Sequence, residues 1–188
     1  MQLISNSHRV QNGPYGNLEP CIFAFDCRHV LARPSAVGAT RMSHTYAQNV
    51  IHVVFSTKER QKLISVEFRP RLWAYATGIC KNVGIFAHGI GGMDDHIHLL
   101  VQVPPAMALA KAVMAIKANS SRWARDAGQQ LEWQRGYGAF SVSASLVPAV
   151  LRYIQNQDAH HKRMSFEEEF LALLKRHGIE FDPKFALG

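Results

Sequence analysis

From residue 49 onward the apolar positions alternate between short strand-like runs and a spacing of three and four. Asn49 to Ser56 (NVIHVVFS) is rich in β-branched residues and predicts a buried strand, which the polar, basic stretch TKERQK leaves behind. Phe68, Leu72, Tyr75 and Ile79 then recur at steps of four, three and four, predicting a helix over 66–81 that Asn82 and Gly84 stop. Val83 to Ile90 and His96 to Val103 read as two strands joined through the turn-rich Gly91 to Asp95, with Pro104 and Pro105 ending the second. Over 107–126, Leu109, Ile116 and Trp123 recur at seven with Ala112 and Val113 beside them, and Lys111, Arg122 and Arg125 fall opposite. That helix has one core face and one cationic face. Gly136 to Ser143 suits a fourth strand, and Leu146 to His161 a third helix that tolerates Pro148 in its first turn. A fourth helix spans Ser165 to Arg176, opened by the capping-box pair Ser165 and Glu168 and stopped by Gly178.

The order over 49–161 is therefore β-α-β-β-α-β-α. A split β-α-β pair of this kind predicts an α+β protein, with a ferredoxin-like βαββαβ antiparallel sheet and helices packed on one face. Further helices follow at the C-terminal end. Residues 1–41 carry no sustained period, only turn-rich stretches around a short apolar run, and read as an N-terminal extension with a non-native or misassigned start. The functional domain is expected over 42–188.

Composition narrows the function class. The chain has 188 residues with 21 Lys and Arg against 14 Asp and Glu, a formal charge of +7, and a pI near 9.6. Four of those basic residues and two of the acidic ones lie in 1–41, so the basic character belongs to the domain. Such a surface suits a polyanionic partner such as nucleic acid. Three cysteines without C-x-x-C spacing indicate neither a disulfide framework nor a cysteine metal site. No apolar run is long enough for a membrane span and no signal-peptide pattern opens the chain, so a cytoplasmic protein with no membrane partner is expected.

Two local patterns carry candidate chemistry. In Asp95-His96-Ile97-His98, the strand period turns both histidines to one face, about 7 Å apart along the strand, near enough to share a metal ion if the rings lean together. The plainer reading is two partly buried histidines satisfied by hydrogen bonds. Tyr153 and Gln157, four apart on a predicted helix, offer a phenolic nucleophile and a neutral oxygen ligand. Their plainer reading is a tyrosine at a core boundary with an exposed glutamine.

DDHIHLLVQV, then WQRGYGAFSVS, then Tyr153, Asn156, Gln157, His160 and His161, then Phe166 and Glu169 before Leu173-Leu174 and Gly178-Ile179, occur in an order that resembles the HUH-type single-tyrosine transposases of the insertion sequence 200/605 group. The resemblance runs from about His44 to Lys184 and leaves 1–41 without a counterpart. It implies that His96 and His98 are metal ligands, that Gln157 completes the metal site and that Tyr153 is the nucleophile. It further implies a transposase that cuts and rejoins single-stranded DNA at hairpin-marked ends through a 5′-phosphotyrosine, working as a homodimer with Mg²⁺ or Mn²⁺. No nucleotide cofactor is expected, since rejoining draws on the bond energy kept in the phosphotyrosine and no P-loop motif is present. A phenol ordinarily titrates near about 10, so a neighbour must take the proton from Tyr153, and the sequence names none.

His160 and His161 could reach the metal or the DNA, or simply sit at a helix end; Asp94 and Asp95 read as turn residues. Lys58, Arg60 and Lys62, together with Lys111, Arg122 and Arg125, are candidate phosphate contacts that would position a strand without reading it. The rival readings are a non-catalytic nucleic-acid-binding ferredoxin-like module, a small metal-dependent hydrolase built on His96 and His98, and a domesticated transposase acting on chromosomal repeats.

Overall fold

The computed structural model describes residues 46–182, so the reading of 1–41 as an extension lies outside the described residues. Four strands, β1 (Val50–Ser56), β2 (Phe86–Gly92), β3 (His96–Gln102) and β4 (Gly138–Ser141), form one sheet in the order β2-β3-β1-β4. Every pairing is antiparallel. With α1 (Arg69–Asn82) after β1 and α2 (Leu109–Asp126) after β3, this is the expected ferredoxin-like α+β arrangement.

The period of two sorts the strands onto two faces. Val53, Phe55, Ile97, Leu99 and Val101 point one way and pack with Ile79 and Cys80 of α1 and Ala112, Val113 and Ile116 of α2. The opposite positions, from Val50 to Ser56 on β1 and from His96 to Leu100 on β3, meet the C-terminal segment. There α3 (Val147–Gln155) contributes Val150, Tyr153 and Ile154, and α5 (Phe166–Arg176) contributes Phe166, Phe170 and Leu173. The βαββαβ helices thus cover one face, and the C-terminal helices make a third layer on the other.

Two elements depart from expectation, and both bear on the site. Val83 still caps α1, its N–H bonded to Ile79 O, and Gly84 turns the chain at φ 78°, so β2 starts later than the apolar run suggests. Gly91 and Gly92, read as turn residues, lie inside β2. A side chain at Gly91 would overlap the Ile154 carbonyl oxygen, and one at Gly89 would overlap Leu151 Cδ1. Gly89 and Gly91 allow the close seating of α3 on β2, which a turn-based reading of Gly91 cannot distinguish from hairpin chemistry, whereas Gly92, at φ 149° against the His96 carbonyl, does belong to the hairpin.

The helix expected over 146–161 is not continuous. Asn156 leaves helical geometry at φ −102°, ψ 25°, and the chain resumes in a single turn, α4 (Gln157–His160). An asparagine amide competes readily with helical backbone, so a break there has little cost. The break sets Gln157 at a different angle from an unbroken helix, and its side chain is buried rather than exposed.

Candidate active site

β3 delivers His96 and His98 to the C-terminal layer, both buried, with ring centroids 5.1 Å apart, so the rings lean together. Each ring is held by its outer nitrogen. His96 Nδ1 lies 2.6 Å from Asp95 Oδ1, His98 Nδ1 lies 2.9 Å from His52 Nε2 on β1, and His161 Nδ1 lies 2.9 Å from the Met164 carbonyl. A partner on Nδ1 fixes the ring so that Nε2 faces the pocket; Asp95 and Met164 orient His96 and His161 in this way. Burial holds His52, His98 and His161 below the ordinary imidazole range, His161 at about 4, so these three are neutral at pH 7. Burial also acts to raise the Asp95 carboxyl, yet its hydrogen bond and attraction to His96 hold it below its usual value.

Around these nitrogens the sequence reading is incomplete. Glu169 on α5 is fully buried. Its Oε2 lies 3.4 Å from His98 Nε2, 3.3 Å from His161 Nε2 and 3.9 Å from His96 Nε2. Its Oε1 accepts a hydrogen bond from the Tyr153 hydroxyl and one from Gln157 Nε2 at 3.3 Å, and lies 3.3 Å from His160 Nε2. Desolvation pushes the Glu169 carboxyl up to about 8, against the pull of His96. The Gln157 carbonyl oxygen sits 2.8 Å from His161 Nε2 and 3.5 Å from His96 Nε2.

The result is a buried pocket lined by converging nitrogen and oxygen donors. One atom each from His96, His98, His161 and Glu169 lie within 4.8 Å of one another, and among the described residues neither His98 Nε2 nor Glu169 Oε2 has a hydrogen-bond partner. Ligands 2.0–2.1 Å from one ion stand about 3.0–3.4 Å apart, close to the separations around Glu169 Oε2. A divalent cation fits this donor set.

The predicted residues are therefore brought together where they were most specific. His96, His98, Tyr153 and Gln157 share one site, and the broken helix still delivers both of the last two. His161 joins them, and Asp95, read as a turn residue, orients His96. Lys58, Arg60 and Lys62 follow β1 at the His96 end of the sheet, where Thr57 N–H donates to Asp95 O. They pair with Glu132, Glu167 and Asp94, solvent-screened surface contacts that a phosphate can displace. Lys111, Arg122 and Arg125 are exposed on α2, across the sheet from the histidines, so the structure does not bring them to this site. Sequence reasoning missed the roles of Glu169 and His52. Glu169 stands in the ordered motif with no role attached to it, and a lone histidine in an apolar strand carries no spacing signal.

Among known proteins, the sequence model described as "Transposase IS200 like" matches residues 45–157. The ISDra2 transposase TnpA of Deinococcus radiodurans is 26% identical over 114 residues, 56% of this chain and 81% of that protein. The transposase for insertion sequence element IS200 of Salmonella typhimurium is 27% identical over 126 residues, 62% of this chain and 81% of that one. A solved structure of a Deinococcus radiodurans protein described as a transposase shares the fold, with a TM-score of 0.51 at 24% identity, over 61% of this chain and 95% of the other. With the family match spanning more than half of the sequence, from the first strand to the glutamine beside the histidine pair, this chain belongs to the IS200-like transposase family.

Proposed function

We propose that the protein cuts and rejoins single-stranded DNA by transesterification on Tyr153, in the cytoplasm and at hairpin-marked ends. The observation that carries this reading is the placement of the Tyr153 hydroxyl against the same buried carboxylate that faces the histidine nitrogens. A nucleophile and a cation-shaped donor set are thereby held on one locus. His96, His98 and Gln157 would hold the divalent ion, Mg²⁺ or Mn²⁺, which supplies Lewis-acid relief of charge on the nonbridging phosphate oxygens.

The chain's own groups do the rest. Tyr153 Oη forms a bond to the scissile phosphorus as the bond to the 3′ oxygen breaks, giving a 5′-phosphotyrosine and a 3′ hydroxyl. The phenolic proton leaves toward the carboxylate that already accepts it, and the departing 3′ oxygen takes up a proton. Attack of a 3′ hydroxyl on the phosphotyrosine reverses the step and rejoins strands without another energy source. Lys58, Arg60 and Lys62 would position the strand, and no phosphate role at this site follows for the α2 cations.

A homodimer is part of the proposal. Within one chain Tyr153 already meets the histidines, so sharing of sites between subunits is not needed to bring them together. Mixing His96→Ala with Tyr153→Phe protein separates the two arrangements: restored activity means shared sites, and silence in a stable dimer means self-contained ones.

The test of the function uses labelled single-stranded DNA bearing an end hairpin, with divalent metal. Wild type is expected to yield a protein–DNA adduct, Tyr153→Phe to fold and bind without one, and His96→Ala to lose cleavage. Normal cleavage by Tyr153→Phe with no attached protein would instead support a hydrolase.

A further inference from the structure

Granted the metal-assisted transesterification above, on which this role rests, we infer that Glu169 is the site's anionic metal ligand through Oε2 and the positioner of the Tyr153 hydroxyl through Oε1. Glu169 lies on α5, twelve residues beyond the span that the family match covers. The chain therefore completes its metal site with an element outside that span.

Three observations converge. Glu169 is fully buried, and its ion-pair contacts among the described residues are all histidines. A buried carboxylate without a cation is expensive, and the imidazoles around it are oriented to offer lone pairs rather than protons. Second, the two oxygens are divided. Oε2 faces the Nε2 atoms of three histidines at ligand-to-ligand spacing and has no hydrogen-bond donor among the described residues, while Oε1 faces Tyr153, Gln157 and His160. Third, the carboxylate is rigidly placed. The Ser165–Glu168 capping box fixes the start of α5, and Phe166, Phe170, Leu173 and Leu174 anchor the helix on Val54 and Phe140.

A carboxylate in the first coordination sphere has two consequences. It lowers the net charge of the loaded site from +2 to +1, and it ties the ion's position to that of the nucleophile, because one rigid group touches both. Imidazole nitrogens with one carboxylate favour Mn²⁺ over Mg²⁺.

Mn²⁺ binding without DNA, followed by loss of the free-ion EPR signal, tests the role independently of catalysis. Glu169→Gln keeps the shape and should weaken Mn²⁺ at least about 10-fold, and Mn²⁺ should no longer raise its thermal midpoint as it does for wild type. Lys111→Ala, exposed on α2 across the sheet from the site, should bind Mn²⁺ as wild type does. If Glu169→Gln does not fold, Glu169→Asp carries the test, since it keeps the charge but withdraws it by one methylene and should also lose affinity. Mn²⁺ affinity of a folded Glu169→Gln protein within twofold of wild type overturns this role while the tyrosine reading stands. A wild-type protein that forms the Tyr153 adduct yet binds no Mn²⁺ overturns both the ligand role and the metal-assisted part of the mechanism.

Discussion

Gly91→Ala adds one methyl group where α3 rests on β2. The new carbon would overlap the Ile154 carbonyl oxygen and stand 3.0 Å from Ile154 Cγ2 and 3.2 Å from its carbonyl carbon. The obstacle is helix backbone, so rotation of a side chain gives no relief, and α3 has to move by roughly 1 Å to reach ordinary van der Waals separation. Overpacking of this kind costs about 1–3 kcal/mol, a fall of roughly 4–12 °C in thermal midpoint for a domain of this size. Ile154 adjoins Tyr153, so the same shift moves the nucleophile off line, and about 1 Å of misplacement costs on the order of 100-fold in rate. Gly78→Ala is the control. The same methyl group inside α1 meets nothing within 4 Å, and removing a helix-interior glycine stabilises by about 0.5–1 kcal/mol. Thermal melts and single-turnover adduct formation on both variants decide the matter. A Gly91→Ala protein as stable and as active as wild type, or a Gly78→Ala protein that falls with it, would refute the close seating of α3.

Further outcomes follow from the groups around the histidines. Asp95→Asn removes the carboxylate that holds His96 Nδ1 at 2.6 Å, so Mn²⁺ affinity should drop about 10–100-fold with the fold intact, measured by the same EPR titration. In metal-free protein, Glu169 has its carboxyl raised from the ordinary 4.5 to about 8. It contributes stability that is full below about 4.5 and lost as pH rises through about 8, a span worth on the order of 5 kcal/mol at most. The difference in unfolding free energy between wild type and Glu169→Gln should therefore shift in favour of the variant between pH 5 and 8; a pH-independent difference would contradict the burial argument. Burial holds His52, His98 and His161 below 6.5, so their contribution is present above 6.5 and lost on acidification, and urea melts should show lower stability at pH 5 than at pH 7 in the Glu169→Gln background.

The fold was legible because its signals are local. Strand and helix periods in β1, β3, α1, α2 and α5 need no distant information, and the Ser165–Glu168 cap forms as its spacing implies. The misreadings share one cause, a tertiary contact. Gly91 looks like a turn glycine until α3 is laid over β2, and the helix expected over 146–161 looks continuous until the Asn156 break turns Gln157 into the site. His96 and His98 were readable because one strand fixes their common face. Glu169 reaches the site only through the packing of Phe166, Phe170 and Leu173 beneath it, which no sequence spacing encodes.

The most direct test of the central claim is the identity of the residue that carries the DNA. Protein trapped with a single-stranded hairpin end and divalent metal can be digested with nuclease and trypsin, and cleavage after Arg152 and Lys162 releases Tyr153 in the peptide YIQNQDAHHK, where it is the one tyrosine. Mass spectrometry should find that peptide carrying a nucleotide through a 5′-phosphate ester, with a free 3′ hydroxyl on the other DNA fragment. Cut DNA with the peptide unmodified, or the nucleotide on any other residue, would contradict transesterification by Tyr153.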